Sequence, residues 1–432
     1  MTTSIGTDTR AAVFGYGVEG RSTLRWLRRL GCLHVRVISS ARPDDLDDEA
    51  PWIAESDPDA ALSGLDVLIK SPGIPPSHPL LQAAAARAVP TTSATVLFVE
   101  RARDAGLAVI GVTGSKGKST TATLIHKTLE AASIPTVLVG NIGRSALDVV
   151  EDVVSNRPVI VFEMSSYQTH DLTVGPSVAV ITRLFPEHLD WHGGVEPYYA
   201  AKLRVASTQR PDDVTIWNAT DPEIARRVPL GPARHVAYGL PPARFSPAHM
   251  LLRGPHNRLN AAAALRAAEI FGALPSHLES VLATFAGLPH RLEDLGVHGG
   301  LRWINDSIST APEAAVAALE AFGGEVATYI GGGTDRGFDF APLARELVGR
   351  AIPNVILLPP GGPTILTALA ALDPRAAARA RVVSTLAEAV ALAARLAPRG
   401  STVLFSPASP SYGAYRNFEE RGDTFRESVQ AL

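Results

Sequence analysis

Short apolar runs alternate along the chain with longer segments in which apolar residues recur at helical spacing. The apolar runs predict buried strands at residues 11–14, 34–38, 65–69, 109–112, 137–139, 159–162 and 178–182, and later at 303–305, 326–330, 355–358, 382–383 and 402–405. Residues 91–106 predict a short strand followed by a helix, and alanine-rich segments such as 261–270 predict further helices. Strands that alternate with helices favour an α/β fold with doubly wound parallel sheets.

The length of 432 residues predicts two or three domains. Residues 1–105 show the strand, glycine turn, helix and strand of a Rossmann-like domain. A second glycine-rich loop begins a central nucleotide-binding α/β domain, for which we predict residues 106–295. Residues 296–432 carry a further set of alternating strands and helices, which predicts a C-terminal Rossmann-like, doubly wound domain.

The most informative segment is LAVIGVTGSKGKSTTATLIHKTL at residues 107–129, in which a strand, a glycine-rich loop and a helix follow one another. Backbone N–H groups of such a loop converge on phosphates, and the helix N-terminus adds positive potential. Lys118 supplies a cation for the β- and γ-phosphates, and the Ser119 hydroxyl is placed to bind Mg²⁺. Val112 stands where the strict Walker pattern has glycine. We predict a nucleoside triphosphate loop; the alternative is an ordinary strand-loop-helix turn.

Candidate magnesium ligands follow two later strands of the central domain. Glu163 comes directly after the run 159–162, where an acid holds Mg²⁺ or its waters in phosphate-loop enzymes. The alternative role for Glu163 is helix capping. His188 and Asp190 lie in the segment EHLDWH after the run 178–182. With carboxylates dominant and cysteine absent nearby, magnesium fits this segment better than structural zinc.

The N-terminal turn GYGVEG at residues 15–20 is typical of dinucleotide sites, but the signal is weak alone. A nicotinamide site would want an acid after the second strand, where Ser39 and Ser40 stand instead. We therefore favour a different phosphorylated ligand, or a turn required for packing only. The segment SPGIPP at 71–76 follows another strand and forms a second candidate ligand loop.

Further candidates lie on helices and in later loops. Asn257 and Asn260 are three residues apart, so they share a helical face and could offer amides to a purine edge. Lys202, taken by itself, has the character of a surface charge. The glycine- and serine-rich segments at 331–337 and 406–412 follow strands of the C-terminal sheet and are predicted ligand loops.

Composition narrows the class of protein. The net charge of −3, from 40 basic and 43 acidic residues, gives no electrostatic sign of nucleic-acid binding. No apolar run reaches the length that crosses a bilayer, and the first residues lack a signal-peptide core, so we expect a cytoplasmic protein without membrane insertion. The single cysteine, Cys32, excludes intrachain disulfides and is expected to be a core residue.

Taken together, these segments resemble the Mur ligases, ATP-dependent amide-forming enzymes of peptidoglycan synthesis, over nearly the whole chain. The matching segments are, in order, GYGVEG, SPGI, GVTGSKGKST, GNIG, FEMSSYQ, EHLDWH, YYAAKL, GPHNRLNAAAA, LPHRLE, WINDS, GGGTDRGFDF and SPASPSYGAYRNFEERGDTF. The last three are specific to the glutamate-adding branch. The resemblance implies a monomer that uses ATP and a pair of Mg²⁺ ions to add glutamate, expected to be D-glutamate, to UDP-N-acetylmuramoyl-L-alanine through an acyl phosphate.

The resemblance also implies roles for single residues. Lys118, Glu163, His188 and Lys202 would be catalytic; Ser119 and Glu163 would hold one Mg²⁺, and His188 with a carbamylated Lys202 the other. A carbamate is anionic and accepts Mg²⁺, whereas an ammonium repels it. The implied ATP-binding residues are Gly114, Ser115, Lys116, Gly117, Lys118, Ser119, Thr120, Asn257, Asn260, Arg291 and Asp306. Those implied for the UDP-bearing substrate are Gly15, Tyr16, Gly17, Val18, Ser39, Ser71, Pro72, Gly73, Asn141 and Ser165. Those implied for glutamate are Thr310, Arg336, Ser411 and Phe418.

The chain departs from the family pattern at several of these positions. Lys116 stands where asparagine is frequent, and Ser39 with Ser40 replaces an Asp-Thr pair on the uridine side. Ile308 and Arg336 each replace a lysine, and Tyr412 begins a Tyr-Gly in place of Leu-Asp. Arg336 could still bind a carboxylate bidentately. These last changes cluster at the amino-acid site, so an L-glutamate-adding variant remains open.

Three alternatives from outside this branch are open on the sequence. They are a folylpolyglutamate synthetase-like amide ligase, a nucleotide-binding relative that has lost ligase chemistry, and a nicotinamide oxidoreductase. The Rossmann-like N-terminus and the C-terminal segment argue against the first, and the presence of Lys118, Glu163, His188 and Lys202 argues against the second.

Overall fold

The structure is a computed structural model that describes residues 5–47, 50–240, 244–252 and 254–432. Within these ranges the chain forms a five-stranded sheet and two six-stranded sheets, with helices between most consecutive strands. The predicted α/β architecture with parallel sheets is therefore confirmed. No helix of the described ranges is long and apolar enough to cross a membrane.

The first sheet is parallel throughout and has the strand order β3-β2-β1-β4-β5. Its elements are β1 (Arg10–Phe14), α1 (Val18–Arg29), β2 (His34–Ser39), β3 (Trp52–Ala54), α2 (Pro58–Leu62), β4 (Val67–Lys70), α3 (Pro79–Ala86), β5 (Thr91–Ser93) and α4 (Ala94–Asp104). The strand order reverses between β1 and β4, and ligands of open parallel sheets bind at such a switch point. The 15–20 turn and the 71–76 loop follow these two strands.

The second sheet is also parallel and has the order β11-β10-β9-β6-β8-β7. Its elements are β6 (Val109–Thr113), α5 (Lys118–Ala131), β7 (Thr136–Gly140), α6 (Ala146–Asn156), β8 (Val159–Glu163), α7 (Ser166–Thr169), β9 (Val178–Ile181), α8 (Leu189–His192), α9 (Val195–Ser207), β10 (Val214–Asn218), α10 (Pro222–Ala225), β11 (Arg234–Tyr238), α11 (Pro255–Glu269) and α12 (Pro275–Leu282). The phosphate loop follows β6, again at the switch point of the sheet.

The third sheet has the order β12-β13-β17-β14-β15-β16, and only its edge strand β12 runs antiparallel to its neighbour. Its elements are β12 (Glu293–His298), β13 (Leu301–Asn305), α13 (Pro312–Phe322), β14 (Val326–Gly332), α14 (Ala341–Gly349), β15 (Asn354–Leu358), α15 (Gly361–Leu372), α16 (Pro374–Arg379), β16 (Arg381–Val382), α17 (Leu386–Leu396), β17 (Thr402–Phe405) and α18 (Phe418–Gln430). The adjacent strands β13, β17 and β14 place the loops that follow them side by side.

The described chain divides into two compact units. One holds the first two sheets, in residues 1–250 and 255–283, and the other holds the third, in 251–254 and 284–432. The first two sheets share a continuous apolar core, to which helices α1, α4 and α6 contribute buried side chains. The domain boundaries near residues 105 and 295 stay predictions.

The sequence analysis missed strands β3, β10, β11 and β12. All four are short or contain polar residues, such as Arg234 and His235 in β11, so they lack the apolar run on which the prediction depends. Segment 187–192, expected to be a loop, contains the single-turn helix α8.

Candidate active site

The backbone conformation of the phosphate loop requires glycine at two positions. Gly114 and Gly117 have φ angles of 145° and 90°, in the region that favours glycine. A Cβ at Gly114 would lie 2.0 Å from the Thr182 hydroxyl oxygen, and one at Gly117 would lie 2.5 Å from the amide oxygen of Asn260. Gly117 then caps helix α5 at its N-terminus. The missing Walker glycine at Val112 does not disturb this geometry, because Val112 lies inside strand β6.

The end of strand β9 holds the loop in place. The Ser115 hydroxyl donates to the carbonyl of Phe185 (2.8 Å), and the Ser115 backbone N–H donates to Arg183 (2.6 Å). The Thr182 hydroxyl lies 2.7 Å from the carbonyl of Lys116. The loop is therefore preorganised by its own neighbours, as a phosphate cradle requires.

Two lysines converge on one carbonyl of this loop. Lys118 Nζ donates to Gly114 O (2.9 Å) and Ser115 O (3.0 Å), and Lys202 Nζ donates to Gly114 O (2.7 Å). Lys202 is only 2% exposed, so its interpretation as a surface charge is wrong. Burial, reinforced by the charge of Lys118, holds the pKa of Lys202 well below its ordinary value. This position therefore disfavours the charged ammonium form of Lys202.

Glu163 is fully buried at the end of strand β8, in register with Val112 of the phosphate-loop strand. Its alternative role as a helix cap is excluded, because Ser165 caps helix α7: its hydroxyl accepts from the backbone N–H of Gln168, and the Gln168 side chain accepts from the backbone N–H of Ser165. Glu163 thus keeps the position predicted for a magnesium ligand.

His188 begins helix α8 in a left-handed conformation, with φ of 54°. Its ring centroid lies 5.1 Å from that of Tyr167. Loss of hydration, with smaller contributions from Lys202 and Lys118, lowers the pKa of His188. The lowered pKa favours the neutral imidazole, which is the form that binds a metal. Asp190, its predicted companion, is exposed, and no three His, Cys, Asp or Glu side chains of the described ranges cluster as a metal site.

A cleft of about 510 Å³ joins the phosphate loop to the glycine turn of the first sheet. It gathers eleven of the predicted site residues: Gly15, Gly17, Val18, Ser71, Pro72, Gly73, Lys118, Asn141, Ser165, His188 and Lys202. It also contains five that the sequence analysis did not assign: Glu19, Ser166, Tyr167, Gln168 and Glu187. All five lie inside the segments GYGVEG, FEMSSYQ and EHLDWH, so the motifs marked the region but not these members.

The glycine turn at residues 15–20 packs tightly against its neighbours and also lines the cleft. The Ser71 hydroxyl donates to the carbonyl of Gly15 (2.9 Å), and a Cβ at Gly20 would lie 2.1 Å from that same carbonyl. Two predicted ligands of this region lie outside the cleft lining. The Ser39 hydroxyl donates to Ala41 O and accepts from the indole of Trp52, and Tyr16 lies under the guanidinium of Arg21.

Glu19 is an acid within the glycine turn, and one of its oxygens accepts from the Gln168 side chain at 2.7 Å. Its other oxygen is buried and has no hydrogen-bond partner among the residues that the structure describes. Burial raises the pKa of Glu19 from 4.5 to about 7, against the opposing effects of Gln168 and Lys70. The unfolded chain therefore loses this proton at a lower pH than the folded protein does.

Replacing Glu19 with glutamine is expected to stabilise the protein at about pH 8 by about 3 kcal/mol, and by much less at about pH 5. The wild type loses stability as pH rises from 4.5 to about 7, because the buried carboxyl resists ionisation over that range. Glutamine does not ionise and still accepts the hydrogen bond. Urea unfolding at both pH values measures this, with Asp104→Asn, at an exposed carboxylate, as control. An equal effect of Glu19→Gln at both pH values would contradict the prediction.

The two asparagines of helix α11 share one face, as predicted. The Asn260 side-chain amide donates to Asn257 Oδ1 (2.9 Å), and Asn260 Oδ1 lies 3.3 Å from the Thr121 hydroxyl. Both side chains are buried. Asn260 therefore contacts the first turn of helix α5, directly after the phosphate loop, and its contact with a purine stays a prediction.

The second compact unit carries the remaining predicted residues. Asp306 is buried after strand β13, accepts from Ser406 (2.8 Å) and from the backbone of Leu292 (3.1 Å), and has its pKa raised to about 6 by burial.

The glutamate candidates follow the adjacent strands β13, β14 and β17 or begin helix α18; they are Thr310, Arg336, Ser411 and Phe418. The Arg336 guanidinium lies 5.5 Å from the Tyr412 ring centroid. Ligand roles for this set and for Arg291 stay predictions.

Two family models match the chain. The Mur ligase middle domain matches residues 112–245, and the Mur ligase glutamate ligase domain matches residues 290–409. The first match covers the phosphate loop, Glu163, His188 and Lys202. The second covers the loops after β13 and β14 and the start of the loop after β17.

Curated relatives match over almost the full length. The UDP-N-acetylmuramoyl-L-alanine–L-glutamate ligase of Salinispora tropica is 38% identical over 98% of this chain and 97% of its own. The relative of the same name from Xanthomonas euvesicatoria pv. vesicatoria is 36% identical, over 96% and 94%. The UDP-N-acetylmuramoylalanine–D-glutamate ligase of Symbiobacterium thermophilum is 36% identical, over 98% of both chains.

Solved structures share the fold at low identity. MurF from Acinetobacter baumannii superposes with a TM-score of 0.62 at 17% identity, covering 99% of this chain and 92% of its own. The MurF ligase of Thermotoga maritima in complex with ADP has a TM-score of 0.59 at 16% identity, covering 99% and 96%. At such identities the likeness concerns the fold alone.

Proposed function

The chain belongs to the Mur ligase family, and from this premise we propose that it uses ATP to join glutamate to the alanine carboxyl group of UDP-N-acetylmuramoyl-L-alanine. The predicted class, an ATP-dependent amide-forming ligase of peptidoglycan precursor synthesis, is confirmed by these relatives. The finer assignments of ligand, metal and residue are proposals, as are the monomeric state and the cytoplasmic location.

One observation carries the proposal: a single cleft contains both the glycine loops of the first sheet and the two lysines that contact the phosphate loop, Lys118 and Lys202. Gly15, Gly17 and residues 71–73 would bind the UDP end of the acceptor. Asn141 and Ser165 would lie along its muramoyl part, and Lys118 at the far wall would meet the ATP phosphates. A substrate that spans the cleft would bring its terminal carboxylate towards the γ-phosphate.

The chemistry explains why lysines gather there. A carboxylate is a poor acyl donor, so one of its oxygens first takes the γ-phosphoryl group of ATP and ADP leaves. The glutamate amine then attacks the carbonyl carbon of this acyl phosphate and forms the C–N bond. The C–O bond breaks, phosphate leaves with that oxygen, and the nitrogen loses a proton to solvent. Several anionic groups meet in both steps, and Lys118 would offset their repulsion.

The donor set fits magnesium. Mg²⁺ keeps several waters and is bound through one or two carboxylates together with substrate phosphates, so a three-carboxylate cluster is not required. Ser119 and the buried Glu163 would hold one ion, and His188 with Lys202 the other. When bound, the ions would neutralise phosphate charge and orient the oxygens that react.

We propose that Lys202 works as its carbamate. Its side chain is almost fully buried in contact with the phosphate loop. An ammonium there would repel both Lys118 and a metal ion. Addition of CO₂ to the neutral amine, with loss of a proton, gives an anionic oxygen pair at the same place.

For the amino acid we propose L-glutamate, in place of the D-glutamate expected from the order of the motifs. Two of the three relatives described above are named for L-glutamate. The chain departs from the family pattern at Ile308, Arg336 and Tyr412. These residues fall in the predicted amino-acid site, which is where a ligase would adapt to the other enantiomer of glutamate.

A phosphate-release assay tests the function. We expect turnover only when ATP, UDP-N-acetylmuramoyl-L-alanine and glutamate are all present, with kcat/KM at least about tenfold higher for L- than for D-glutamate, a difference of about 1.4 kcal/mol. Preference for D-glutamate would overturn the stereochemical proposal alone. Phosphate release that needs no acceptor, or that needs a folate acceptor instead, would overturn the function.

A further inference from the structure

A buried ion pair crosses from the first sheet to the second beside the cleft. Lys70, the last residue of strand β4, lies 2.6 Å from Asp171, which follows helix α7. The side chains are only 5% and 19% exposed. Lys70 directly precedes residues 71–73, so its position sets where this part of the cleft wall begins.

A second contact holds the other end of the same wall segment. The indole N–H of Trp191, in helix α8, donates to the carbonyl of Gly73 at 2.9 Å. Lys70 Nζ also lies 5.9 Å from the Trp191 ring. We call Lys70, Asp171 and Trp191 the loop clamp. It anchors residues 71–73 at both ends to segments that belong to the second sheet.

The clamp connects two parts of the site. The Trp191 ring centroid lies 4.8 Å from that of Tyr167, which in turn lies 5.1 Å from that of His188. Through the Ser71 hydroxyl, the clamped loop also holds the glycine turn at Gly15. The wall at 71–73 is thus fixed relative to His188, on the phosphate side of the cleft.

A contribution to stability alone is a weak explanation for the ion pair. Desolvation of two buried charges offsets most of their attraction, and apolar residues of similar volume are often equally good or better. An ion pair does favour one short distance between two chain segments, which an apolar contact sets less strictly. We propose that the loop clamp is a positioning device for the UDP-bearing substrate, holding residues 71–73 where the acceptor is aligned with Lys118. This inference rests on the proposed function.

The chain offers a matched control. Arg25 of helix α1 and Asp148 of helix α6 form a second ion pair between the same two parts of the chain, at 2.6 Å. Neither residue lines the cleft. If ion pairs act only by holding the two sheets together, Asp148→Asn and Asp171→Asn should have the same kinetic effect.

The test compares Asp171→Asn, Asp148→Asn and the double variant Lys70→Met/Asp171→Leu in the full-length protein. We expect Asp171→Asn to raise KM for UDP-N-acetylmuramoyl-L-alanine about tenfold or more, because small displacements of a positioning group carry penalties of that order. KM for ATP should change less than about threefold, and Asp148→Asn should leave all KM values within about twofold. Trp191→Phe, which keeps a ring and removes the N–H donor, should raise the same KM by roughly two- to tenfold.

The double variant separates positioning from stability. It removes both charges, so we expect its thermal midpoint to recover towards the wild type while KM for the UDP substrate stays raised. Equal KM increases in Asp171→Asn and Asp148→Asn, or a double variant that recovers both properties, would overturn the inference. Wild-type protein without acceptor-dependent turnover would instead overturn the proposed function, so the two failures are distinct.

Discussion

Replacing Lys118 with alanine is expected to lower kcat by roughly 10²- to 10³-fold, the usual effect of removing one preorganised electrostatic contact from a transition state. Lys118 is the first residue of helix α5, and its ammonium lies 2.9 Å from Gly114 O and 3.0 Å from Ser115 O. It would turn from these carbonyls to the phosphates when ATP binds. The loop backbone would remain, so ATP affinity should fall less than kcat. Phosphate release with all three substrates, and ATP titration, measure the two effects.

Lys127→Ala is the control for this variant, because it removes the same side chain from the same helix at a half-buried position outside the cleft. We expect its kcat to remain within about twofold of the wild type, as for most surface substitutions. A Lys118→Ala enzyme with kcat within about threefold of the wild type would refute the role of this lysine in phosphoryl transfer.

Replacing Lys202 with arginine is expected to reduce kcat by roughly 10²-fold or more, since the variant keeps a cation but cannot form the carbamate. The wild-type Lys202 side chain is enclosed and contacts Gly114 O at 2.7 Å. Arginine would place a permanent charge beside Lys118, where the proposal requires an anion. Steady-state kinetics on both proteins, after comparison of their thermal midpoints, measures the effect.

Mass spectrometry provides a separate measurement of the carbamate. Intact folded protein, kept in bicarbonate and measured under native conditions, should carry the mass of one added CO₂, and Lys202→Arg should not. Activity of the wild type should fall when dissolved CO₂ is removed and return when bicarbonate is added. Full activity without CO₂, together with an unmodified Lys202, would exclude the carbamate.

The fold was predictable because its signals are local. Strand β6, the phosphate loop and helix α5 are adjacent in sequence, so apolar pattern and glycine spacing predicted them together. The same holds for the strands that end at Phe14, Lys70 and Glu163, whose boundaries differ from the predictions by one or two residues. The strands that were missed are those with polar residues, such as β11, because pairing with a neighbour rather than local pattern makes them strands.

The site was only partly predictable, because its contacts join residues that are distant along the chain. Spacing indicated that Asn257 and Asn260 share a helical face. It did not indicate that the side-chain amide of Asn260 donates a hydrogen bond to Asn257. The sequence placed Glu19 in a phosphate turn, whereas burial against helix α7 makes it a weak acid with a raised pKa. Gln168, Tyr167 and Glu187 stood inside recognised motifs without an assigned role, and the cleft identified them.

The sequence by itself determined the order of the elements, the phosphate loop with Lys118, and the family to which the chain belongs. These follow from patterns that span a few consecutive residues or from motifs in a fixed order. Only the tertiary structure decided that Lys202 is buried beside Lys118 and that Lys70 pairs with Asp171. Burial and charge pairing depend on residues that are distant along the chain, and their effects on pKa arise only when folding removes the side chains from water.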